Sequence, residues 1–464
     1  MEVLKPKLEA LVGAANVKFG AEAMELANSP WTRLGEPAAV VRPGSTKEVA
    51  GVMKIAHRAD ISVTAWGGRT GLVDGARADG AIALSLDRMR AVEEIDEAAA
   101  TMTVQAGCVL EEAGNAADAK GLFLPLDLGS RGSCTIGGNI STNAGGNRVL
   151  RFGMMRDMVL GLEAVLADGT IVSSLNHLIK NNAGYDLKHL FIGSEGTLGV
   201  VTRAVLRLRP KPASQCTAML AVDRFEALAP LLRLLEAQLS GSLSAFEVLW
   251  PEFYDLVTTE PALGRPVLPP GSPFYVLTEA MGADPDGDQE RFERALGSAL
   301  EAELISDAAI AKTGAERGKM WALRDDVGQT RRNAPNNVFD ISLAIAEMKP
   351  FLAELETALK ARWTNPTLVT FGHLGDGNLH LIIGVGDAGA HHAVDQLVYD
   401  KLRAYGGSVS AEHGIGLMKR EFLSHTRSPE EVALMRTLKM ALDPKNILNP
   451  GKIFAEHEHA AAAA

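Results

Sequence analysis

Four residues near the C-terminal end pair side chains able to hold a cation with one able to move a proton: His373, His380, Glu412 and His413. The first two lie in Gly372-His-Leu-Gly-Asp-Gly-Asn-Leu-His380, the others in Ala411-Glu-His-Gly-Ile-Gly416. Neutral imidazole and carboxylate suit a divalent ion such as zinc or manganese. Glycine costs about 1 kcal/mol per helical position relative to alanine. Gly372, Gly375 and Gly377 therefore predict a tight turn leading into a strand, able to fold both imidazoles toward one point. Glu412 is then the third ligand, and His413 an imidazole beside the ion that does not ligate it. Either histidine alone would read as an ordinary turn residue. The constellation, among only 11 histidines, points to a metal. A metal alone does not name a reaction.

At 464 residues the chain is too long for one ordinary core, so two domains are expected. Charged residues at 22% and hydrophobic residues at 47% describe a soluble globular protein. A formal charge of −11 argues against nucleic acid as a partner. Cys108, Cys134 and Cys216 form no Cys-x-x-Cys pair and cannot all pair internally, which fits a reducing compartment. Met1-Glu-Val-Leu-Lys5 lacks the basic start and apolar run of a signal peptide. No run approaches the roughly 20 apolar residues of a membrane span, so no transmembrane segment is expected. The cytoplasm is the expected setting, with peripheral membrane contact and a homodimer left open.

The elements that must position these residues fall into two regions. In the first, Ser45-Thr-Lys-Glu48 is a capping-box pattern opening a helix through Val49, Val52, Ile55 and Ala56. Strands are predicted at Ile61–Ala65, Ala81–Leu86, Thr101–Val104 and Met158–Leu166, a helix at Val109–Lys120, and a hairpin turn at Asp168-Gly169. Two prolines in Arg209-Pro-Lys-Pro212 mark the boundary. In the second region, helices are predicted near Arg224–Leu239, Gln289–Glu301, Glu316–Arg332, Phe351–Arg362 and Ala393–Tyr405. Strands are predicted at Thr217–Val222, Phe274–Thr278, Val338–Leu343, Leu368–Phe371 and His380–Val385, and a last helix at Ser428–Leu442. This order predicts an antiparallel sheet with helices on one side. Glu456-His-Glu-His459 and the alanines after it read as a frayed tail.

Three glycine-rich segments of the first region look built to bring backbone amides to an anion. They are Trp66-Gly-Gly-Arg-Thr-Gly71, the stretch from Leu128 to Gly146, and Ile192-Gly-Ser-Glu-Gly-Thr-Leu-Gly199. Glycine lets the main chain approach a ligand closely, so successive N–H groups can form an anion-binding nest. None is a strand–GxGxxG–helix with an acidic residue downstream, so a Rossmann NAD site is not supported.

Arg42-Pro-Gly-Ser-Thr-Lys-Glu-Val49, Gly67-Gly-Arg-Thr-Gly71, Ile136-Gly-Gly-Asn-Ile-Ser-Thr-Asn-Ala-Gly-Gly146 and Tyr185 to Gly199 resemble the FAD-binding domain of vanillyl-alcohol-oxidase-type flavoproteins. The histidine turn, Ser410-Ala-Glu-His-Gly-Ile-Gly416 and Leu448-Asn-Pro-Gly-Lys452 narrow the resemblance to the D-2-hydroxyacid dehydrogenase branch, which includes D-lactate and D-2-hydroxyglutarate dehydrogenases. The implied fold class is α+β: a two-subdomain FAD-binding domain over 1–212 and an antiparallel-sheet substrate or cap domain over 213–413. A segment over 414–454 returns to the FAD domain, and 455–464 is a disordered tail. The resemblance places FAD against Pro43, Trp66, Gly67, Gly68, Arg69, Thr70, Gly71 and Leu72. Its pyrophosphate and ribityl chain lie along Asp127, Gly129, Ser130 and Ser133, then Gly137, Gly138, Asn139, Ser141, Thr142 and Gly145. Glu195, Gly196, Gly199 and Val200 follow the adenine half, and Asn449 returns to the flavin. Related branches attach flavin to a histidine in the first loop or to a cysteine further on. Arg69 removes the first option, and Cys134 sits off the expected spacing, so non-covalent FAD is expected.

The implied reaction is hydride transfer from Cα of a D-2-hydroxyacid to flavin N5. The metal at His373, His380 and Glu412 chelates the hydroxyl and lowers its pKa. His413 is the general base, and Arg324 grips a substrate carboxylate. Electrons pass to an electron-transfer flavoprotein, a cytochrome or a quinone. The chain departs from the hydroxyglutarate pattern, which has threonine, lysine and asparagine where Gly328, Val338 and Ile382 stand here. A pocket bordered by Val338 and Ile382 favours D-lactate or another 2-hydroxyacid with an apolar side chain. Arg331 and Arg332 keep D-2-hydroxyglutarate as the alternative. A flavin-free metal hydrolase and a non-catalytic FAD subunit are competing readings.

Overall fold

The structure, a computed structural model, describes residues 3–454; the tail predicted over 455–464 lies outside the described residues. The chain divides into two compact units. One draws on residues up to Gly146, Gly153–Lys211, and the chain from Glu412 onward; the other comprises Asn147–Phe152 and Pro212–Ala411. Glu412 and His413, assigned by sequence to the second domain, thus group with the first unit, and Asn147–Phe152 groups with the second.

In the first unit a four-stranded sheet runs in the order Val17–Lys18, Ala39–Val41, Ile82–Ser85, Val63–Trp66, its last three strands parallel. The connecting helix Thr46–Ala59 starts as the sequence predicts. Ser45 Oγ accepts from the Glu48 amide at 3.3 Å, and Glu48 accepts from the Gly44 amide at 2.7 Å. Val49, Val52, Met53 and Ala56 form its buried stripe. Pro43 and the Gly67–Leu72 loop both leave the carboxyl ends of parallel strands, where open α/β sheets place their ligands. After helix Pro429–Leu442 the chain runs back beside the sheet edge: Val63 donates to the Ile447 carbonyl at 2.7 Å, and the Asn449 amide donates to Val63 O at 2.8 Å. A five-stranded sheet follows, all antiparallel, in the order Val92–Asp96, Thr101–Gln105, Val200–Arg207, Val159–Val165, Ile171–Ser174.

The second unit is built on seven antiparallel strands. Their order is Asp307–Ile310, Ser214–Val222, Phe274–Gly282, Leu243–Leu249, Thr367–Gly372, Asn378–Gly384, Asn336–Ser342. Strands Leu243–Leu249 and Asp307–Ile310 and helix Pro251–Thr258 are additions to the sequence reading. The helix predicted over Glu316–Arg332 is corrected: it spans Gly314–Asp325 and gives way to a 3₁₀ stretch, Val327–Asn333. Its start is a capping box between Thr313 and Glu316. Helices Pro251–Thr258 and Gly314–Asp325 pack into one apolar cluster with the sheet through Phe253, Tyr254, Val257, Met320 and Leu323. No helix among the described residues is long and apolar enough to cross a membrane.

Candidate functional site

His373 follows strand Thr367–Gly372, and His380 lies within strand Asn378–Gly384. Between them a 3₁₀ turn, Leu374–Asp376, ends at Gly377, whose φ of +85° is a left-handed conformation suited to glycine. The amides of Asp376 and Asn378 both return to the His373 carbonyl, at 3.1 and 3.2 Å. The turn brings the two imidazole centroids to 5.3 Å.

Each histidine has a buried carboxylate behind it. Glu247 Oε1 lies 2.7 Å from His373 Nδ1, and Asp340 Oδ1 lies 3.9 Å from His380 Nδ1. The pairing of Val248 with Gly372 explains the first, because continuing that antiparallel register sets Glu247 opposite His373. Asp340 and His380 are direct cross-strand partners. A carboxylate at hydrogen-bond distance, as Glu247 is from His373, fixes the ring tautomer of a metal-binding histidine and leaves the far nitrogen for the ion. This donor set fits a divalent cation.

Arg324 enters the same cluster from helix Gly314–Asp325. Its Nε donates to Glu247 Oε2 at 2.7 Å, its guanidinium carbon lies 5.2 Å from the centre of the Phe371 ring, and Nη2 reaches His373 Nε2 at 3.2 Å. An ion and this N–H could not share one nitrogen lone pair, so a metal held at Nε2 would take the place of Nη2 there. Burial pushes the Glu247 carboxyl up, but the His373 ring and the Arg324 guanidinium bonded to it outweigh burial and hold the pKa at about 2. Removing one partner of such a buried pair costs about 3–5 kcal/mol, because the other charge is left in low dielectric.

Cross-strand pairing also places the predicted substrate residues. Asp340, His380 and Phe371 form one row across three strands, and Val338, Ile382 and Val369 form the next row on the same face. Ile382 is 1% exposed within the apolar cluster, whereas Val338 is 51% exposed. Arg332 is tied to Gln329 and to the Leu256 carbonyl at 2.7 Å. Arg331 is exposed.

In the first unit the loops implied for FAD close on one another. A Cβ at Gly68 would stand 2.1 Å from Ser133 O, and one at Gly67 would stand 2.4 Å from Thr135 Oγ1, so only glycine allows this approach. Gly71 and Gly129 face open space. Thr135 Oγ1 and Asn449 Oδ1 are buried without a hydrogen-bond partner, which native proteins rarely tolerate unless a ligand or water serves the group. Both lie in segments implied to hold FAD, and the cradle fits that cofactor. Asn449 Nδ2 donates to Gly75 O and Glu195 O, at 3.1 and 2.7 Å. Lys439, buried, holds this segment by donating to Thr197 O, Leu448 O and Asp443.

Glu195 carries a left-handed φ of +52°. Its carboxylate accepts from the Ile415 and Gly416 amides at 2.7 and 2.8 Å, locking the turn that follows His413. Burial pushes its pKa up against the pull of those amides and Lys419. Glu412 Oε1 accepts from the Gly146 amide at 2.6 Å. Arg69, at φ +57°, turns its guanidinium to the Leu26 carbonyl and over the Trp66 ring. Cys134 is buried, and burial pushes its thiol pKa up, so it is a poor nucleophile.

Glu247 has no place in the sequence reading, while Thr135, Asp340 and Lys439 stand in it only as members of a glycine-rich stretch, of a predicted strand and of a predicted helix. A readable signal exists for Asp340, in Asp340-Ile-Ser342 before a strand end, and for Lys439 with Asp443 at helical i,i+4 spacing. For Glu247 there is none without the register.

Residues 37–174 match a family described as FAD binding domain, and residues 211–453 match FAD linked oxidases, C-terminal domain. The chain is 39% identical over 97% of its length, and 97% of the relative's, to a D-2-hydroxyglutarate dehydrogenase of Xanthomonas citri. It is 40% identical to the mitochondrial D-2-hydroxyglutarate dehydrogenase of Bos taurus, covering 94% of this chain and 80% of that one. A putative D-lactate dehydrogenase of Schizosaccharomyces pombe is 36% identical over 90% of this chain and 82% of its own. Among solved structures, p-cresol methylhydroxylase superposes with TM-score 0.80 at 16% identity, covering 98% of this chain and 97% of that one. The 4-ethylphenol oxidase of Gulosibacter chungangensis superposes with TM-score 0.75 at 18% identity, covering 98% of each chain. These structures share the fold. The FAD-binding match sets aside the flavin-free hydrolase reading. On the matches over both regions, the chain belongs to the FAD-linked D-2-hydroxyacid dehydrogenases, within the vanillyl-alcohol-oxidase-type fold.

Proposed function

We propose that the chain oxidises a D-2-hydroxyacid with an uncharged side chain to its 2-oxoacid, with non-covalent FAD and a zinc or manganese ion held by His373, His380 and Glu412. The observation that carries this is the meeting of His373, Arg324 and Glu247, which supports reading a cation ligand beside a carboxylate receptor. When bound, FAD takes the hydride and the metal acidifies the substrate hydroxyl. Arg324 grips the C1 carboxylate through the N–H groups that Glu247 does not use. His413 takes the hydroxyl proton on a ring nitrogen. Phe371 and the apolar cluster under Ile382 keep water from this side of the reacting centre. The electron acceptor is a flavoprotein, cytochrome or quinone rather than NAD.

The uncharged side chain is inferred from Gly328, Val338 and Ile382, none of which carries a side-chain donor for a second carboxylate. With Ile382 sealed in the apolar cluster and Val338 the exposed member of its row, a second carboxylate would find no partner there. A lost charged hydrogen bond is worth about 1.5–3 kcal/mol, roughly ten- to a hundredfold in rate constant. With a dye acceptor, D-lactate and longer apolar D-2-hydroxyacids are therefore expected to exceed D-2-hydroxyglutarate in kcat/KM, and L-enantiomers to be poor. The second reading, D-2-hydroxyglutarate, is favoured by the names of the relatives and by exposed Arg331. A tenfold or greater advantage for D-2-hydroxyglutarate would establish it.

Because Arg69 and Cys134 are both unsuited to a flavin link, acid or heat is expected to release about one FAD per chain into the supernatant. Flavin that precipitates with the protein would overturn the non-covalent reading.

A further inference from the structure

We infer that Glu247 is a positioning residue whose single carboxylate sets both the His373 imidazole and the Arg324 guanidinium, so that metal affinity and substrate affinity depend on one side chain. This rests on the reading above that His373 binds metal and Arg324 binds substrate. Strand Leu243–Leu249 lies between Phe274–Gly282 and Thr367–Gly372, and all seven of its residues are buried. A glutamate in such a strand costs folding energy unless both oxygens are served. Here they are, by two different elements: Oε1 meets His373 Nδ1 and Oε2 meets Arg324 Nε, each at 2.7 Å.

Two consequences follow from this division. With its Nδ1 hydrogen directed at a carboxylate, His373 offers the opposite nitrogen as ligand and gains basicity. With its Nε held, Arg324 presents the Nη edge in one orientation, which suits two-pronged contact with a carboxylate. The helix carrying Arg324 has a second anchor one turn earlier, where Trp321 Nε1 donates to Glu279 Oε2 at 2.9 Å. Glu279 is buried on the neighbouring strand and serves Trp321, Thr217 and Ser244, so its replacement probes docking of the helix.

The test compares Glu247→Gln, Glu279→Gln and Arg324→Lys in FAD-loaded protein. Each is stripped of metal, titrated with zinc against a chromogenic chelator, and assayed for the KM of D-lactate. A glutamine offers one acceptor oxygen and cannot serve both partners as an anion. Glu247→Gln is expected to weaken zinc binding by about 10- to 100-fold and to raise KM at least about tenfold, with flavin content unchanged. Arg324→Lys raises KM alone, and Glu279→Gln leaves zinc affinity as in the wild type. Wild-type zinc affinity in Glu247→Gln, or a shift in KM only, overturns the shared-carboxylate role. Should Glu247→Gln fail to fold, Glu247→Asp keeps the charge one methylene short, and unchanged zinc affinity and KM there overturn it equally. Wild-type protein that takes up no zinc and is untouched by chelation overturns the metal reading, and this proposal falls with it.

Discussion

Dialysis against a chelator is expected to extinguish dye-linked turnover while the yellow flavin stays with the protein. His373→Ala, His380→Ala and Glu412→Ala are each expected to reproduce that loss. The two histidines come from a turn and strand of the seven-stranded sheet, whereas the glycine loops implied for FAD belong to the other unit. Removing an imidazole therefore leaves the flavin cradle intact. The size of the loss follows from the substrate: an unaided alcohol holds its proton far above neutral pH, and each pKa unit is worth about 1.4 kcal/mol. Several units of lost acidification take the rate below about 1% of the wild-type value. The check is metal content by elemental analysis, flavin absorbance, and restoration by added zinc or manganese. Full activity in protein verified as metal-free would sink the metal role.

The histidine turn was legible because glycine restricts it. Gly375 and Gly377 exclude a helix, and the left-handed Gly377 is where the chain reverses before His380. The FAD loops were legible for the same reason, since Gly67 and Gly68 stand where any Cβ would strike Ser133 or Thr135. Strand Leu243–Leu249 escaped because Leu-Ser-Ala-Phe-Glu-Val-Leu is a short run without alternation. A strand buried on both faces shows no period of two, so nothing local separates it from a helix segment. Glu247 was lost with it. The overlong helix at Glu316–Arg332 has the opposite cause: polar spacing continues past Asp325, but Asp326 leaves helical geometry at ψ +45°. Arg324 is thereby the penultimate residue of its helix rather than a mid-helix position. The substrate row was half legible. Val338 and Ile382 are register partners on neighbouring strands that a helix and a further strand separate in sequence, yet one is exposed and the other sealed in the cluster. Sequence carries their apolar character but neither the pairing nor the depth.

His413→Ala is expected to keep both flavin and metal and to slow anaerobic flavin reduction by D-lactate by roughly 10²–10⁴-fold, the usual contribution of a positioned acid or base. The backbone around His413 has anchors of its own. Glu195 accepts the Ile415 and Gly416 amides beyond it. A Cβ at Gly414 would stand 2.8 Å from Glu195, so that turn is held by backbone geometry. On the other side, Ala411 donates to Asp340 Oδ2 at 3.1 Å. A truncated side chain at position 413 therefore removes the proton acceptor without releasing the peptide that carries Glu412. Stopped-flow reduction separates this from a binding defect, because a lost base lowers the limiting rate whereas a lost contact raises the substrate concentration needed to reach it. Added imidazole should restore part of the limiting rate in His413→Ala and none in His373→Ala, where it is the metal that is missing. Reduction in His413→Ala within threefold of the wild type, with metal and flavin verified, would assign the proton to another acceptor and leave His413 a structural residue.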